Sequence, residues 1–267
     1  MPPRKLPKLK TDSNTLPPIE SQYMSRVPFI CLVNGSTGCG KTTIIMSIIK
    51  LMRREHSLTK LYLMCPSYTP HSVYHAILKD TDVVFTDMSK CFEALKAIEQ
   101  DCELEAERWR KELEYVITFN RYTAGETINA QDEQLLEEYG YRTITPIRPS
   151  PILLCDDCSH SQLFSKSSKN PFPAMVLRSR HVAGGTGLSI AMISHSFTSG
   201  VPRCLRTNST HGIYFGTQSE RELKSIYEET NGQLSWVHFR ELFHHYTARK
   251  LGYLFVDNIK RDMCDSF

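Results

Sequence analysis

Residues 33–49 read VNGSTGCGKTTIIMSII. An apolar run enters a glycine-rich turn, and the turn opens into a lysine, two threonines and a second apolar run. Gly35, Ser36, Thr37, Gly38, Cys39, Gly40, Lys41 and Thr42 match the spacing G-x-x-x-x-G-K-[ST], with Thr43 next. Glycines at these positions let successive backbone N–H groups turn inward and cradle phosphate oxygens. A helix starting near Lys41 points the positive end of its dipole at the same spot. Lys41 is then placed for the β- and γ-phosphates of ATP and the Thr42 hydroxyl for Mg²⁺. The context supports this over a structural glycine turn: VPFICLVN (27–34) reads as a buried strand before the loop, and residues 41–54 read as a helix after it.

A phosphate loop that hydrolyses its nucleotide needs an acid at the end of another strand. PILLCDD (151–157) supplies one. Asp156 is the expected Mg²⁺-side carboxylate, and Asp157 is placed to orient or deprotonate water. GLSIAMISHS (187–196) is a further apolar strand ending in polar residues. Ser194, His195 and Ser196 are candidates to sense the γ-phosphate, with His195 the choice. Arg203 and Arg206 follow, before the strand HGIYFG (211–216). An arginine there can stabilise charge on the transferring phosphoryl group, and Arg206 is the choice. Cys155, Cys158 and His160 sit close in sequence, but no second ligand pair at zinc spacing accompanies them.

Working outward, KLYLMCP (60–66) and TDVVFTD (81–87) are further strand candidates. From Ser89 to about Phe119 the pattern is helical and charged, as expected of an exposed, ion-pair-laced helix or helical hairpin. Residues 120–150 show no clear period, and the helical insertion is set at about 89–150. Helices are expected over 173–182, 219–229 and 235–247, and GYLFVDN (252–258) closes the chain as a strand or hairpin arm. Residues 1–26 are proline-rich and polar with a basic front, and are expected to be a disordered arm. The remainder, 27–267, is expected to be one P-loop ATPase domain. Strands alternating with helices imply an α/β fold: a mostly parallel sheet, helices on both faces, with an additional strand beside the loop strand.

Composition bounds the reading loosely. A net charge of +3 over 267 residues neither demands nor excludes a nucleic-acid partner. No apolar run reaches the roughly 18 residues of a membrane span. The first residues lack the apolar core of a secretory leader. Nine cysteines, scattered singly, are expected to be reduced thiols of an intracellular protein.

GSTGCGKT (35–42), ILLCDD (152–157), LRSRH (177–181), ISHS (193–196) and PRCLRTN (202–208) occur in this order. The ordered set resembles the DNA-packaging ATPases of large eukaryotic DNA viruses, the poxvirus-type branch of the FtsK/HerA superfamily. Relatives of that branch occur in virophages and Maverick/Polinton elements. The resemblance covers about 28–258. In the family the fourth element usually reads S-Q, so His195 stands in place of a glutamine. The resemblance implies ATP-driven translocation of double-stranded DNA into a preformed capsid by a homo-oligomeric ring. It implies viral capsid or portal-vertex proteins as partners and a host nucleus, cytoplasmic virus factory or virion as location. Two other classes stay open: a P-loop kinase or phosphotransferase, and a non-catalytic, nucleotide-gated assembly protein.

Overall fold

The loop strand β1 (Ile30–Asn34) is buried at every position, as a strand with neighbours on both edges and layers on both faces must be. It sits inside an eight-stranded sheet of order β3-β2-β4-β5-β1-β6-β7-β8. The computed structural model describes residues 16–230 and 234–264. In chain order the strands are β2 (Leu61–Met64), β3 (Val83–Phe85), β4 (Ile152–Cys155), β5 (Ser189–Ser194), β6 (His211–Phe215), β7 (Tyr253–Asp257) and β8 (Asp262–Cys264). Pairings from β3 across to β6 are parallel, and β6–β7 and β7–β8 are antiparallel. β5 stands between β1 and β4, so the additional strand lies where the sequence places it.

Helix α1 (Lys41–Arg54) covers one face. Its Ile45, Ile48, Ile49 and Met52 form one apolar cluster with Val33, Leu63, Ile193 and Ile213. Truncating any of these isoleucines to alanine would cost about 2–5 kcal/mol. The opposite face is covered by α2 (Cys91–Thr123), α4 (Phe172–Arg178), α6 (Arg203–Arg206), α7 (Glu220–Thr230) and α8 (Trp236–Thr247), all of which contribute to the other cluster. A short turn, α5 (Val182–Gly185), leads from α4 back to β5.

The insertion is a helical hairpin. The first half of α2 buries Ala94, Leu95, Ile98, Cys102 and Ala106, one face at helical spacing. The second half packs on α3 (Ala130–Tyr139), where Tyr115 stacks on Tyr139 with ring centroids 4.5 Å apart and Lys111 meets Glu138 at 2.7 Å. The sequence reading missed α3, although Asn129 and Asp132 form a capping box at its start. It also missed the short β8.

Residues 1–15 of the expected arm lie outside the described residues. The packed part of the chain begins before Val27, which corrects the arm boundary. Ile19 pairs with Val27 in an antiparallel bridge, Ser21 donates to the Glu55 carboxylate, and Met24 is buried. The apolar side chains of this segment cover the α1 side of the sheet, and that burial outweighs the prolines before it. None of the nine cysteines, all of them among the described residues, is joined in a disulfide. Among the described residues no helix is long and apolar enough to cross a membrane.

Candidate nucleotide site

The loop leaves the carboxyl end of β1 and is shaped by its glycines. Gly38 (φ +79°) and Gly40 (φ +107°) occupy left-handed backbone that side chains rarely adopt, and Gly40 caps α1 without any side-chain bond. The first N–H groups of α1 are thus left for a ligand. Gly35 is tight for another reason: a Cβ there would come within 2.7 Å of Cys39 Sγ and of Phe215. Lys41 Nζ donates to the carbonyls of Gly35 (2.9 Å) and Ser36 (2.8 Å). Burial pushes its ammonium pKa down, against the charges of Cys39, Asp156 and Asp157.

The strand-end acids meet this loop. Thr42 Oγ1 lies 3.4 Å from Asp156 Oδ2, so the hydroxyl and the carboxylate face each other. Asp156 is 7% exposed, and burial, its largest influence, leaves its carboxyl above the usual range. Its Oδ2 also accepts from Tyr74, and its Oδ1 from the Asp157 N–H at 3.0 Å. Asp157 has φ +56°, a strained backbone for an aspartate. Burial works to raise its pKa, but bonds from Ser67 and His195 and the charges of His195 and Lys41 hold it below the usual carboxylate range.

His195 joins the two halves. Its Nδ1 is 3.2 Å from Lys41 Nζ and 3.4 Å from Thr37 Oγ1, and its Nε2 is 3.1 Å from Asp157 Oδ1. An ammonium has donors only, so Nδ1 accepts; the ring proton then sits on Nε2 and is donated to Asp157. Thr43 is exposed on α1, one residue past the facing pair. The structure therefore brings Gly35–Thr42, Asp156, Asp157 and His195 together.

Arg206 is a correction. Its side chain is 7% exposed and forks onto Glu229 at 2.9 and 2.7 Å, donates to the Val201 carbonyl at 2.6 Å, and lies 4.6 Å over the Phe197 ring. A guanidinium so committed is not free to reach a neighbour's phosphate. The reason is local: α6 lies on the path from the carboxyl end of β5 back to the amino end of β6, beneath α7 and its Glu229. Arg203, on the same helix, is 79% exposed and only 3.7 Å from Glu229.

Two members of the site escaped the sequence reading, Ser67 and Tyr74. Both come from the connection between β2 and β3, which carries no motif. The one available signal is position, since β2 neighbours β4 and its exit loop must pass the acids.

Among the described residues no group of three histidines, cysteines or carboxylates is placed to hold a metal. Magnesium does not need one, because it takes one or two protein oxygens and fills the rest with water and phosphate. The facing Thr42 and Asp156 oxygens fit that requirement.

Fold and site geometry define a class: an α/β P-loop NTPase fold with an additional strand between the loop strand and the acid strand. No family model and no curated protein matches the chain. Among solved structures it is similar to the genome packaging NTPase B204 of Sulfolobus turreted icosahedral virus 2, in complex with ATP-gammaS. That likeness has 15% identity, 90% of this chain, 97% of the other and a TM-score of 0.54. It is also similar to B204, the DNA-packaging ATPase from Sulfolobus turreted icosahedral virus, at 13% identity, 90% and 98% coverage and a TM-score of 0.56. At these identities the likeness speaks for the fold.

Proposed function

We propose that this chain is the ATP-hydrolysing subunit of a motor that moves double-stranded DNA, working as a ring of copies to package a viral genome into a preformed capsid. The observation that carries the hydrolytic part is the His195 bridge, which links the phosphate-loop lysine to the second strand-end acid. The packaging part is supported by the ordered motifs and by the likeness to B204, described as a DNA-packaging ATPase. The poxvirus-type branch is the proposed placement, with capsid or portal-vertex proteins as partners and a virus factory, nucleus or virion as the setting.

The residues take distinct roles. The loop N–H groups and Lys41 bind the phosphates, and Lys41 exchanges its bonds to Gly35 and Ser36 for phosphate oxygens. Thr42 and Asp156 would hold Mg²⁺, which would neutralise phosphate charge. Asp157 orients the attacking water as an ionised acceptor, and its lowered pKa fits that orienting role. His195 reports to Asp157 whether Lys41 has a phosphate to hold. Arg203 takes over from Arg206 as the arginine offered to a neighbouring subunit, where a true finger is worth about 10³–10⁵ in rate.

Hydrolysis of ATP with Mg²⁺, measured with and without duplex DNA, tests the reading. DNA of any sequence should stimulate turnover. Phosphoryl transfer to a small acceptor, indifferent to DNA, would make the chain a phosphotransferase. Binding of ATP without turnover under any condition would make it a nucleotide-gated assembly protein.

A further inference from the structure

Between Asp157 and Glu220 the sequence contains no aspartate or glutamate, in a chain with 29 of them among 267 residues. That stretch carries Lys166, Lys169, Arg178, Arg180, Arg203 and Arg206. The structure buries Arg206 in its pair with Glu229 and leaves the other five exposed. They do not scatter. Lys166 and Lys169 lie on the loop that leads into α4, Arg178 ends α4, Arg180 follows it, and Arg203 is on α6, which packs beside α4. All belong to the layer across the sheet from α1.

The carboxylates reaching this surface come from its borders. Glu99 of α2 approaches Arg178 at 3.6 Å and Glu229 of α7 approaches Arg203 at 3.7 Å. Both exceed a close ion pair, and both arginines stay largely exposed, at 67% and 79%. Such contacts contribute little and yield to a competing anion. Ser167 and Ser168, between the two lysines, are exposed and short, so a polyanion backbone can come close and accept their hydroxyls.

We propose that this surface — Lys166, Lys169, Arg178 and Arg180, with the serines between the lysines — is where the chain grips duplex DNA, through its phosphates. The inference rests on the motor reading above and names the partner surface that reading needs. A net charge of +3 would not hold a polyanion if it were spread evenly. A face without its own acids concentrates it. Backbone contact without base readout also gives the sequence tolerance that a translocating motor requires. The loop bearing the lysines continues directly from Asp157, so the grip and the water-handling acid share one run of chain.

The test uses the full chain, a non-hydrolysable ATP analogue and a short duplex of mixed sequence, with binding followed by anisotropy across a salt series. Each phosphate contact contributes about 0.9 to the slope of log affinity against log salt. Replacing Lys166, Lys169 and Arg180 together by alanine should make the slope shallower by about 2.7, with nucleotide affinity and DNA-free hydrolysis unchanged. A control with Arg108→Ala and Lys224→Ala, exposed cations elsewhere, should keep the wild-type slope. If wild type binds duplex and the triple variant keeps its slope, the surface is wrong and the motor reading survives. If wild type does not bind duplex, or prefers single-stranded RNA, the motor reading falls and this inference with it.

Discussion

Arg206→Ala separates two accounts of one residue. As a finger for a neighbouring subunit, its loss would spare the fold and abolish turnover. As the structure has it, the loss strands Glu229, whose side chain is 9% exposed, without its forked partner. Breaking a buried pair from one side costs about 3–5 kcal/mol, because an uncompensated charge stays in a poor solvent. Arg203 lies 3.7 Å from the same carboxylate and can swing in, so the lower end, about 3 kcal/mol, is expected. Against a total stability of about 5–15 kcal/mol this is a large drop in urea midpoint. Trp236 packs edge-on to Tyr227 of α7, the helix that carries Glu229, so with Trp109, the other tryptophan, replaced by phenylalanine, fluorescence reports the unfolding locally. Glu229→Gln in the Arg206→Ala background should return part of the loss, since it removes the stranded charge. An unchanged midpoint with hydrolysis abolished would refute the structural assignment and restore Arg206 as a finger.

Four further outcomes are expected. Lys41→Ala should abolish hydrolysis and weaken nucleotide binding severely in a titration with a fluorescent ATP analogue; wild-type turnover would remove the loop from the site. Asp157→Asn should bind ATP but turn over at least about 10²-fold more slowly, whereas Asp156→Asn should raise the Mg²⁺ concentration needed for half-maximal rate; equal behaviour of the two would merge their roles. His195→Gln should hydrolyse within a few-fold of wild type and His195→Ala far more slowly, so equal rates for the two would dismiss the bridge. His211, fully buried between Phe29 and Phe255, has its pKa pushed down to about 4 from 6.5 by burial. Because only the unfolded chain then takes the proton readily, its contribution is present above pH 6.5 and is lost as pH falls towards 4. Wild type should therefore lose about 2 kcal/mol more than His211→Phe between about pH 7.5 and about pH 5 in urea melts, and parallel losses would overturn the burial argument.

The sheet was legible because its strands are short, continuous apolar runs; ICLVN, ILLC and SIAMIS are buried at every residue. The phosphate loop and its two acids were legible because their spacing follows from the ligand. Asn129 and Asp132 announce α3, but its single fully buried apolar residue, Leu136, gives no period to find. Ser67 and Tyr74 were invisible because a connection can bring any hydroxyl to a carboxylate without a recurring pattern. The fate of Arg206 depends on Glu229, a residue on another helix, and no local reading reveals which arginine wins that carboxylate.

The placing of β5 has a consequence for wiring. Strands stand about 4.8 Å apart, so β4 lies about 10 Å from β1. The residue that follows β5 must span that gap with one acceptor facing Lys41 and one donor facing Asp157. A side-chain amide has this pair of valences, and so does a neutral imidazole. His195 thus offers the pair of valences that a glutamine at this position would offer. Both valences of the imidazole sit on one rigid ring, so a single side-chain orientation sets the contact to Lys41 and the contact to Asp157 together.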